Sequence, residues 1–548
     1  MPIATFDKKY LLGLVGSGID DGRLVEDIEK LGFGVERVGD EEISIEITSN
    51  RPDLLMAVGF ARALRYFMHR SKRFRYEAKK DSGLSVAIGR RIGKVRPYAS
   101  AFVAEGLELD EKALADIING VEKFCETHGR GRRKIAVGMH DLDKIDSAGG
   151  LYYDAYDDRK YVPLNGKSDA YFSDILKSTD KGRSYAGTID GGEFGYPALC
   201  DSRGVLALIP ILNSERSRVT VSTKRMLVFV DGKSKYGVLK SADLLACLFI
   251  DIGAEVSRVS VGKGKRTSNT PTMESRQIMI PIRKIENTIG VKIGVNNATS
   301  LAEKMGYEAS YIDTKVRVYV PQYRMDIINE QDVIEDIAVG YGYNYIQPMP
   351  VKSGISGQLE NATVFRDRIG ESMIGLGFTE AVDSYLSNEG LNFTMMRLHN
   401  DNNYVRIRNA KSDAITMLRT WLLPSLLRNI GSSQHEPMPQ RMFELDMAFR
   451  IVGTGVEEAY HLAAVACDAK MNFNHIKSVV DALADMMRLD FKVEKAEHAS
   501  FIEGRCARII LGNAQIGFFG EVHPAVLGAF GIEEPVSALE IDLSPFES

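Results

Sequence analysis

Residues 323–343 read YRMDIINEQDVIEDIAVGYGY, and the acids in this stretch are spaced to do chemistry. Five carboxylates fall between Asp326 and Asp336, and Arg324 is the one basic residue among them. If Asn329 caps a helix, Val333, Ile334 and Ile337 face a core, while Asp332, Glu335 and Asp336 share a neighbouring face at i, i+3 and i+4. Asp326, at the end of the preceding strand, reaches the same region, and Glu330 points elsewhere, toward solvent. Acids near a helix N-terminus complement its dipole by ~0.3–1 kcal/mol each, which serves Glu330 and Asp332 but fades before Glu335 and Asp336. The other reading is a hard divalent cation. Oxygen donors without His or Cys favour magnesium over zinc, and a cation would cancel the repulsion of like charges on one face.

The elements that must position these acids are visible in the pattern around them, and they occur twice. EKLGFGVERVGDEEISIEITSNRPDLLMAVGFARAL echoes EKMGYEASYIDTKVRVYVPQYRMDIINEQDVIEDIA. Both read helix, Leu or Met followed by Gly and an aromatic, hairpin, Arg-x-Asp, helix. Arg51 and Asp53 match Arg324 and Asp326, and counting on, Gly59, Arg62 and Ala63 stand opposite Asp332, Glu335 and Asp336. The first copy builds the same unit without the acids, so folding does not require them. In it, Asp20 or Asp21 caps a helix with Leu24, Ile28 and Leu31 on its apolar face, Gly32 suits its end, and a hairpin turns at Gly39-Asp40.

A chain of 548 residues is several times the size of one core. At 44% hydrophobic and 26% charged residues it reads as ordinary globular protein. The formal net charge of -5 gives no global nucleic-acid signature, so any RNA contact rests on local basic patches. Five scattered cysteines without a C-x-x-C pair fit a reducing compartment rather than a disulfide framework or a zinc site. No apolar run of about 20 residues and no signal core occur, so a cytoplasmic protein with no membrane contact is expected. The basic stretch 69–96 reads as a linker, TMLRTWLLPSLLRNIG as one helix, and VRIR as a strand. Few regular β-α alternations favour a mainly antiparallel sheet with helices packed on it.

Other motifs are thin. There is no phosphate-binding G-x-x-x-x-G-K-[ST] loop, and Gly16-Ser17-Gly18 with Gly22 misses the dinucleotide fingerprint by one spacing. GRGRRKIAVGMHD could present Arg130, Arg132, Arg133 and Lys134 to phosphate, although a short basic run is usually a solvated face. His140 and His523 stand out only through their neighbours. No complete catalytic constellation is present.

EITSNRPDLLMAVGFARAL, GRRKIAVGMHDLDKI, YRMDIINEQDVIEDIAVGYGYN, LRTWLLPSLL, MFELDMAF and GFFGEVHP together resemble phenylalanine–tRNA ligase beta subunits of the archaeal and eukaryotic form. The resemblance implies an α+β, multidomain fold: an N-terminal α/β unit (1–85), an editing-like domain (86–272), a small magnesium-binding domain (273–350), and a degenerate class II synthetase-like antiparallel sheet domain (351–548). It implies a heterotetramer of two alpha and two beta chains that attaches phenylalanine to tRNA(Phe) with ATP, the ATP and phenylalanine sites lying on alpha. It also implies magnesium at Asp326, Asp332, Glu335 and Asp336, at the boundary with alpha. The family's editing site, which hydrolyses tRNA loaded with tyrosine, commonly has a serine before Pro-Pro and a later Asp-x-Thr-Gly. This chain has Ala207, a single Pro210 and Phe229-Val230-Asp231-Gly232, leaving Asn213, Ser214 and Asp231 as polar candidates. Weakened or absent editing is therefore expected. The alternatives are a magnesium-dependent nucleic-acid phosphotransferase, which needs acids converging on an open cleft, and a pure assembly scaffold whose acids pair with a basic partner.

Overall fold

The computed structural model describes residues 2–16, 18–71, 75–189, 194–264, 266–350, 354 and 356–546. The chain divides into two compact units, Met1–Pro350 and Val351–Ser548.

The first unit begins with β1 (Ile3–Asp7), α1 (Lys8–Val15), α2 (Asp21–Lys30), β2 (Gly34–Val38), β3 (Glu42–Glu46) and α3 (Ala57–Phe67). Asp20 caps α2 by accepting from the Arg23 N–H at 2.8 Å, and Leu24 and Ile28 are fully buried. Gly32 takes φ +89° just past the helix, the left-handed geometry a glycine adopts without strain. β1–β3–β2 then form a three-stranded antiparallel sheet.

Ten strands make the central sheet: β4 (Lys80–Ile88), β5 (Tyr98–Glu105), β6 (Ile135–Asp141), β7 (Leu151–Tyr156), β8 (Tyr196–Asp201), β9 (Gly204–Leu208), β10 (Leu212–Asn213), β11 (Arg225–Gly232), β12 (Glu255–Lys263) and β13 (Arg266–Thr270). Their order is β10-β9-β8-β7-β4-β12-β5-β11-β6, with β13 beside β12. Only β4 runs parallel to its neighbours, β12 and β7; the other pairs are antiparallel. Two helices, α4 (Glu111–Glu126) and α5 (Lys235–Asp251), join this sheet to the first copy of the repeat. Leu54 and Phe60 of that copy share one core with Val121, Leu244 and Phe249. Gly59 makes the approach possible, since a Cβ there would lie 1.9 Å from the Asp53 carbonyl and 2.8 Å from Leu248.

The expected linker at 69–96 is therefore not a linker. It contains β4, and Arg96 within it is fully buried because its guanidinium meets Asp231. The 85/86 boundary falls inside that strand, and Lys72, Arg73 and Phe74 of the same basic stretch lie outside the described residues.

The second copy follows as β14 (Arg276–Pro281), α6 (Ile282–Ile289), α7 (Val295–Lys304), β15 (Glu308–Ile312), β16 (Lys315–Val320) and α8 (Glu330–Tyr341). Its sheet order, β14-β16-β15, reproduces β1-β3-β2, and Gly306 takes φ +90° where Gly32 takes +89°. The sequence echo is a structural repeat.

The second unit is a seven-stranded sheet with helices on both faces. In chain order it runs α9 (Asn361–Gly375), β17 (Thr379–Glu380), α10 (Leu423–Ser432), β18 (Gln440–Val452), β19 (Gly455–Cys467), α11 (Phe473–Met487), β20 (Phe491–Lys495), β21 (Phe501–Leu511), β22 (Ala514–Val522) and β23 (Val536–Asp542). The strand order is β17-β18-β19-β23-β22-β21-β20, antiparallel except for β17 beside β18. α9 and α11 bury Met373, Ile476 and Val480 on one face, and α10 buries Leu426, Leu427 and Ile430 on the other. The helix expected from Thr416 starts only at Leu423, because Pro424 has no N–H and belongs in a first turn. Met417 and Leu418 pair instead with Leu386 and Ser387, and VRIR gives a single bridge at Arg406 rather than a strand.

Candidate functional site

Two sets of residues are candidates for chemistry. The first is the acidic segment. Asn329 caps α8 by accepting from the Gln331 N–H at 2.7 Å, and Val333, Ile334 and Ile337 are buried, as the pattern requires. The acids themselves part company. Arg324 lies in a two-pronged pairing with Asp326 (Nε to Oδ1 2.9 Å, Nη2 to Oδ2 2.7 Å), and its Nη1 sits 2.7 Å from Asp336 Oδ2, off the hydrogen-bond direction. Tyr307 donates its hydroxyl to the same Asp336 oxygen. Burial works against the Arg324 charge, but Asp336 and Asp326 outweigh it and hold the guanidinium well above its usual range. Burial, opposed by Arg324 and reinforced by Asp336, pushes the Tyr307 hydroxyl well up, so it stays a donor.

Asp332 turns back over the helix start and accepts from the Ile328 and Asn329 N–H groups at 2.7 and 2.8 Å, completing a capping box. Glu335 is exposed, and Glu330 pairs with Lys284. The four acids expected to hold magnesium thus fall into an inner pair, Asp326 and Asp336, joined by Arg324, and an outer pair, Asp332 and Glu335. Among the described residues no group of three or more His, Cys, Asp or Glu side chains is assembled for a metal ion. In this arrangement the four do not fit a magnesium centre, because a guanidinium already stands between the inner two.

The first copy shows what the Arg-x-Asp motif does without the acids. Arg51 makes the same two-pronged contact with Asp53 at 2.8 and 2.9 Å. Arg62, which stands opposite Glu335, donates to Asp53 at 3.1 Å and to Asp251 of α5 at 2.7 Å. Its guanidinium carbon lies 3.5 Å from the centre of the Tyr323 ring, immediately before the second motif. The two copies therefore meet at their Arg-x-Asp turns, close enough for Arg324 to act on the charge of both Arg51 and Asp53.

The second set lines a cavity of about 210 Å³ between α4, β6, the β9–β10 turn and β11. Asn213 and Asp231 line it; Ser214 does not, being buried with its hydroxyl toward the Val162 carbonyl while it caps the turn at Glu215. Asn213 donates to the Met139 carbonyl at 3.0 Å. Asp231 is buried against the guanidinium of Arg96, and burial raises its pKa while Arg96 opposes the rise. Arg132, in a basic run that could meet phosphate or lie on a solvated face, does neither and is turned inward: it donates to Glu122 at 2.6 and 2.7 Å and to the Pro210 carbonyl at 2.8 Å, with its guanidinium over the Tyr185 ring. Acceptors meet both terminal nitrogens of the guanidinium, while its buried Nε has no partner in the protein.

His140 stood out in the sequence only through its neighbours and was given no role there. It is fully buried and its Nδ1 lies 2.8 Å from Ser217 Oγ, while Nε2 has no partner in the protein and the ring lines the cavity. Burial, with the nearby Arg216 charge, lowers its pKa from the usual 6.5 to about 4. As pH falls, the unfolded chain takes up this proton first, so the stability His140 contributes is full above pH 6.5 and is lost between 6.5 and about 4. The loss amounts to about 3 kcal/mol. Urea unfolding of the parent and His140→Phe, compared at pH 7 and pH 4.5, is expected to show a loss larger by about 2–3 kcal/mol in the parent than in the variant; equal losses in both would contradict it.

Comparison with known proteins follows the same division of the chain. A model for the tRNA synthetase B5 domain matches residues 278–343, and one for the phenylalanyl tRNA synthetase beta chain CLM domain matches 347–543. The phenylalanine–tRNA ligase beta subunit of Archaeoglobus fulgidus is 33% identical over 550 residues, covering 100% of this chain and 99% of its own length. That of Methanocella arvoryzae is 32% identical, covering 99% and 100%. A crystal structure of an N-terminal fragment of the phenylalanyl-tRNA synthetase beta-subunit from Pyrococcus horikoshii aligns with a TM-score of 0.60 at 29% identity, covering 62% of this chain and 100% of the fragment. Among the described residues no helix is long and apolar enough to cross a membrane. With full-length relatives on this scale, the chain belongs to the phenylalanine–tRNA ligase beta-subunit family, the ligase complex that joins phenylalanine to its tRNA.

Proposed function

We propose that this chain pairs with an alpha chain carrying the phenylalanine and ATP sites, in a complex of two alpha and two beta chains that charges tRNA(Phe). The observation that carries this reading, beside the full-length family match, is how the second unit spends its buried polar groups. Arg419 is 1% exposed and is held by Glu444 at 2.6 Å, Asp446 at 3.2 Å and the Met447 carbonyl at 2.9 Å, so it is not free to clamp a nucleotide. Glu540 accepts from the Leu422 and Leu423 N–H groups at the start of α10 and faces His461 Nδ1 at 2.8 Å, which uses up its lone pairs. Exposed apolar side chains, Ile374, Val382, Tyr385 and Leu386 among them, suit this unit to packing against alpha.

The magnesium expected at Asp326, Asp332, Glu335 and Asp336 enters the proposal in a narrower form. Arg324 neutralises the inner pair, so a cation at this place takes Glu335 and the outer oxygen of Asp332, with further oxygens from alpha. The phosphotransferase alternative is disfavoured by the same geometry, since two-metal chemistry needs acids open to a cleft. Co-expression with alpha, followed by sizing and a phenylalanylation assay, is expected to give a four-chain complex that charges tRNA only when both chains are present. With manganese as a stand-in probe for magnesium, Asp332→Asn with Glu335→Gln is expected to lower the manganese that this complex retains. Charging by alpha alone would overturn the subunit reading, and unchanged manganese would overturn the cation.

The cavity of the middle region is proposed as a weakened editing site. Discrimination for tyrosine needs a polar partner for its hydroxyl, and Asp231, standing where the family has a threonine, is engaged by Arg96. Deacylation of tyrosyl-tRNA by the complex is expected to stay near the uncatalysed rate. Hydrolysis well above that rate would contradict the assignment.

A further inference from the structure

One histidine of the second unit is half engaged, and its open half faces a cavity. His461 of β19 places Nδ1 2.8 Å from Glu540 Oε1 on β23. Glu540 already accepts the Leu422 and Leu423 N–H groups, so it acts as an acceptor toward the ring as well. Nδ1 therefore carries the proton, and Nε2 is left as an acceptor. Nε2 has no partner among the described residues and is not sealed in; the ring lines a cavity of about 210 Å³.

Small side chains give the cavity its room. Ala448 and Ala459, both in its lining, stand opposite each other across β18 and β19. Trp421 and Phe518 line it too, with ring centres 6.1 Å apart. The Trp421 side-chain N–H is spent on the Asn392 carbonyl at 3.1 Å, so the indole has no donor left to offer.

The charge around this space is negative. Arg450 and Glu457 face each other across the same two strands and cancel in sum. Glu540 and Asp542 remain, and no other Lys or Arg lines the cavity among the described residues. Asp542 stands directly opposite His461 in the β19–β23 register, on the same face of the sheet. Ser544 donates its N–H and its hydroxyl to one Asp542 oxygen, at 2.9 and 2.6 Å. The other oxygen has no partner among the described residues. Two neighbouring acceptors, Nε2 and this oxygen, thus lack donors.

We propose that the cavity binds a small primary amine in its ammonium form, donating to His461 Nε2 and to the open Asp542 oxygen, with a flat apolar body against Trp421 and Phe518. Three N–H donors on one positive centre match two acceptors and an excess of negative charge. A hydroxyl brings one donor and no charge, and a carboxylate brings neither. The aromatic faces add to the match, because a ring draws a cation toward its face. The site lies in the second unit, and its occupancy depends neither on phenylalanylation nor on deacylation.

The test uses the full chain without alpha, so that the phenylalanine site proposed there does not contribute. Three probes share one ring: benzylamine, benzyl alcohol and benzoate. Titration calorimetry near pH 7 is expected to give saturable binding of benzylamine, about tenfold tighter than benzyl alcohol, with benzoate weaker than either. Asp542→Asn, which keeps an oxygen for Ser544, is expected to bring benzylamine down to the benzyl alcohol level. Ala459→Leu, which fills the cavity, is expected to abolish binding of both. In the parent chain labelled with 15N in the histidine rings, benzylamine is expected to shift the Nε2 signal of one histidine that carries its proton on Nδ1. That readout stands even where a variant fails to fold. Equal binding of benzylamine and benzyl alcohol, tighter binding of benzoate, no saturable binding, or an unmoved histidine signal would each overturn the proposal.

Discussion

Arg324 is the constraint on which the acidic segment depends. Its side chain is 3% exposed, and a guanidinium cannot lose its proton to escape burial, so negative charge has to come to it. Asp326 supplies two parallel contacts from the same turn, and Asp336 supplies a third from the second turn of α8. That is why acids crowd next to an apolar run in 323–343. Two of the five neutralise a buried cation, one closes the start of the helix, Glu330 pairs with Lys284, and Glu335 is left facing water. The repulsion inferred from charge spacing is offset because Asp326 and Asp336 share the Arg324 cation while Asp332 turns back onto the helix start.

The repeat shows how one frame serves two surroundings. Where the first copy has Phe33 and Ala63, the second has Tyr307 and Asp336, a hydroxyl and a carboxylate that bond each other and have no counterpart in the first. Where the first has Arg62, reaching Asp251 of α5, the second has the exposed Glu335. The first copy spends that helix face on its own chain, through the close approach at Gly59. The second turns Asp332 back onto its own helix start and leaves Glu335 on the matching face exposed. Tyr323 joins the two: its ring lies under Arg62 of one copy, and the next residue is the Arg324 of the other.

Much of this could be read from the sequence, and the misses have physical reasons. The repeat, the caps at Asp20 and Asn329, the glycine at the end of α2 and the core face of α8 are local features, written within a few residues of where they act. Arg96 was read as part of a basic linker because its partner, Asp231, is far away in sequence. Arg132 was read within a solvated or phosphate-facing basic run because such a run does not reveal which member turns inward to Glu122 and the Pro210 carbonyl. The division of the four acids depended on where Arg324 points, and spacing alone places side chains on a helix face without saying which is already engaged. His140 was noticed but given no role for the same reason: its unmet nitrogen exists only once Ser217, Gly138 and α4 are assembled around it.

The central claim is that Arg324 holds Asp326 and Asp336 as a buried charge group rather than leaving them open. Native-state hydrogen exchange across α8 reads the free energy of opening there without requiring the whole chain to unfold in one step. Arg324→Met is expected to lower that free energy by about 3–5 kcal/mol, since it strands two carboxylates. Adding Asp326→Asn and Asp336→Asn in the same chain is expected to restore most of it. A loss within about 0.5 kcal/mol for Arg324→Met, the usual range for a surface change, or no recovery in the triple variant would contradict the account.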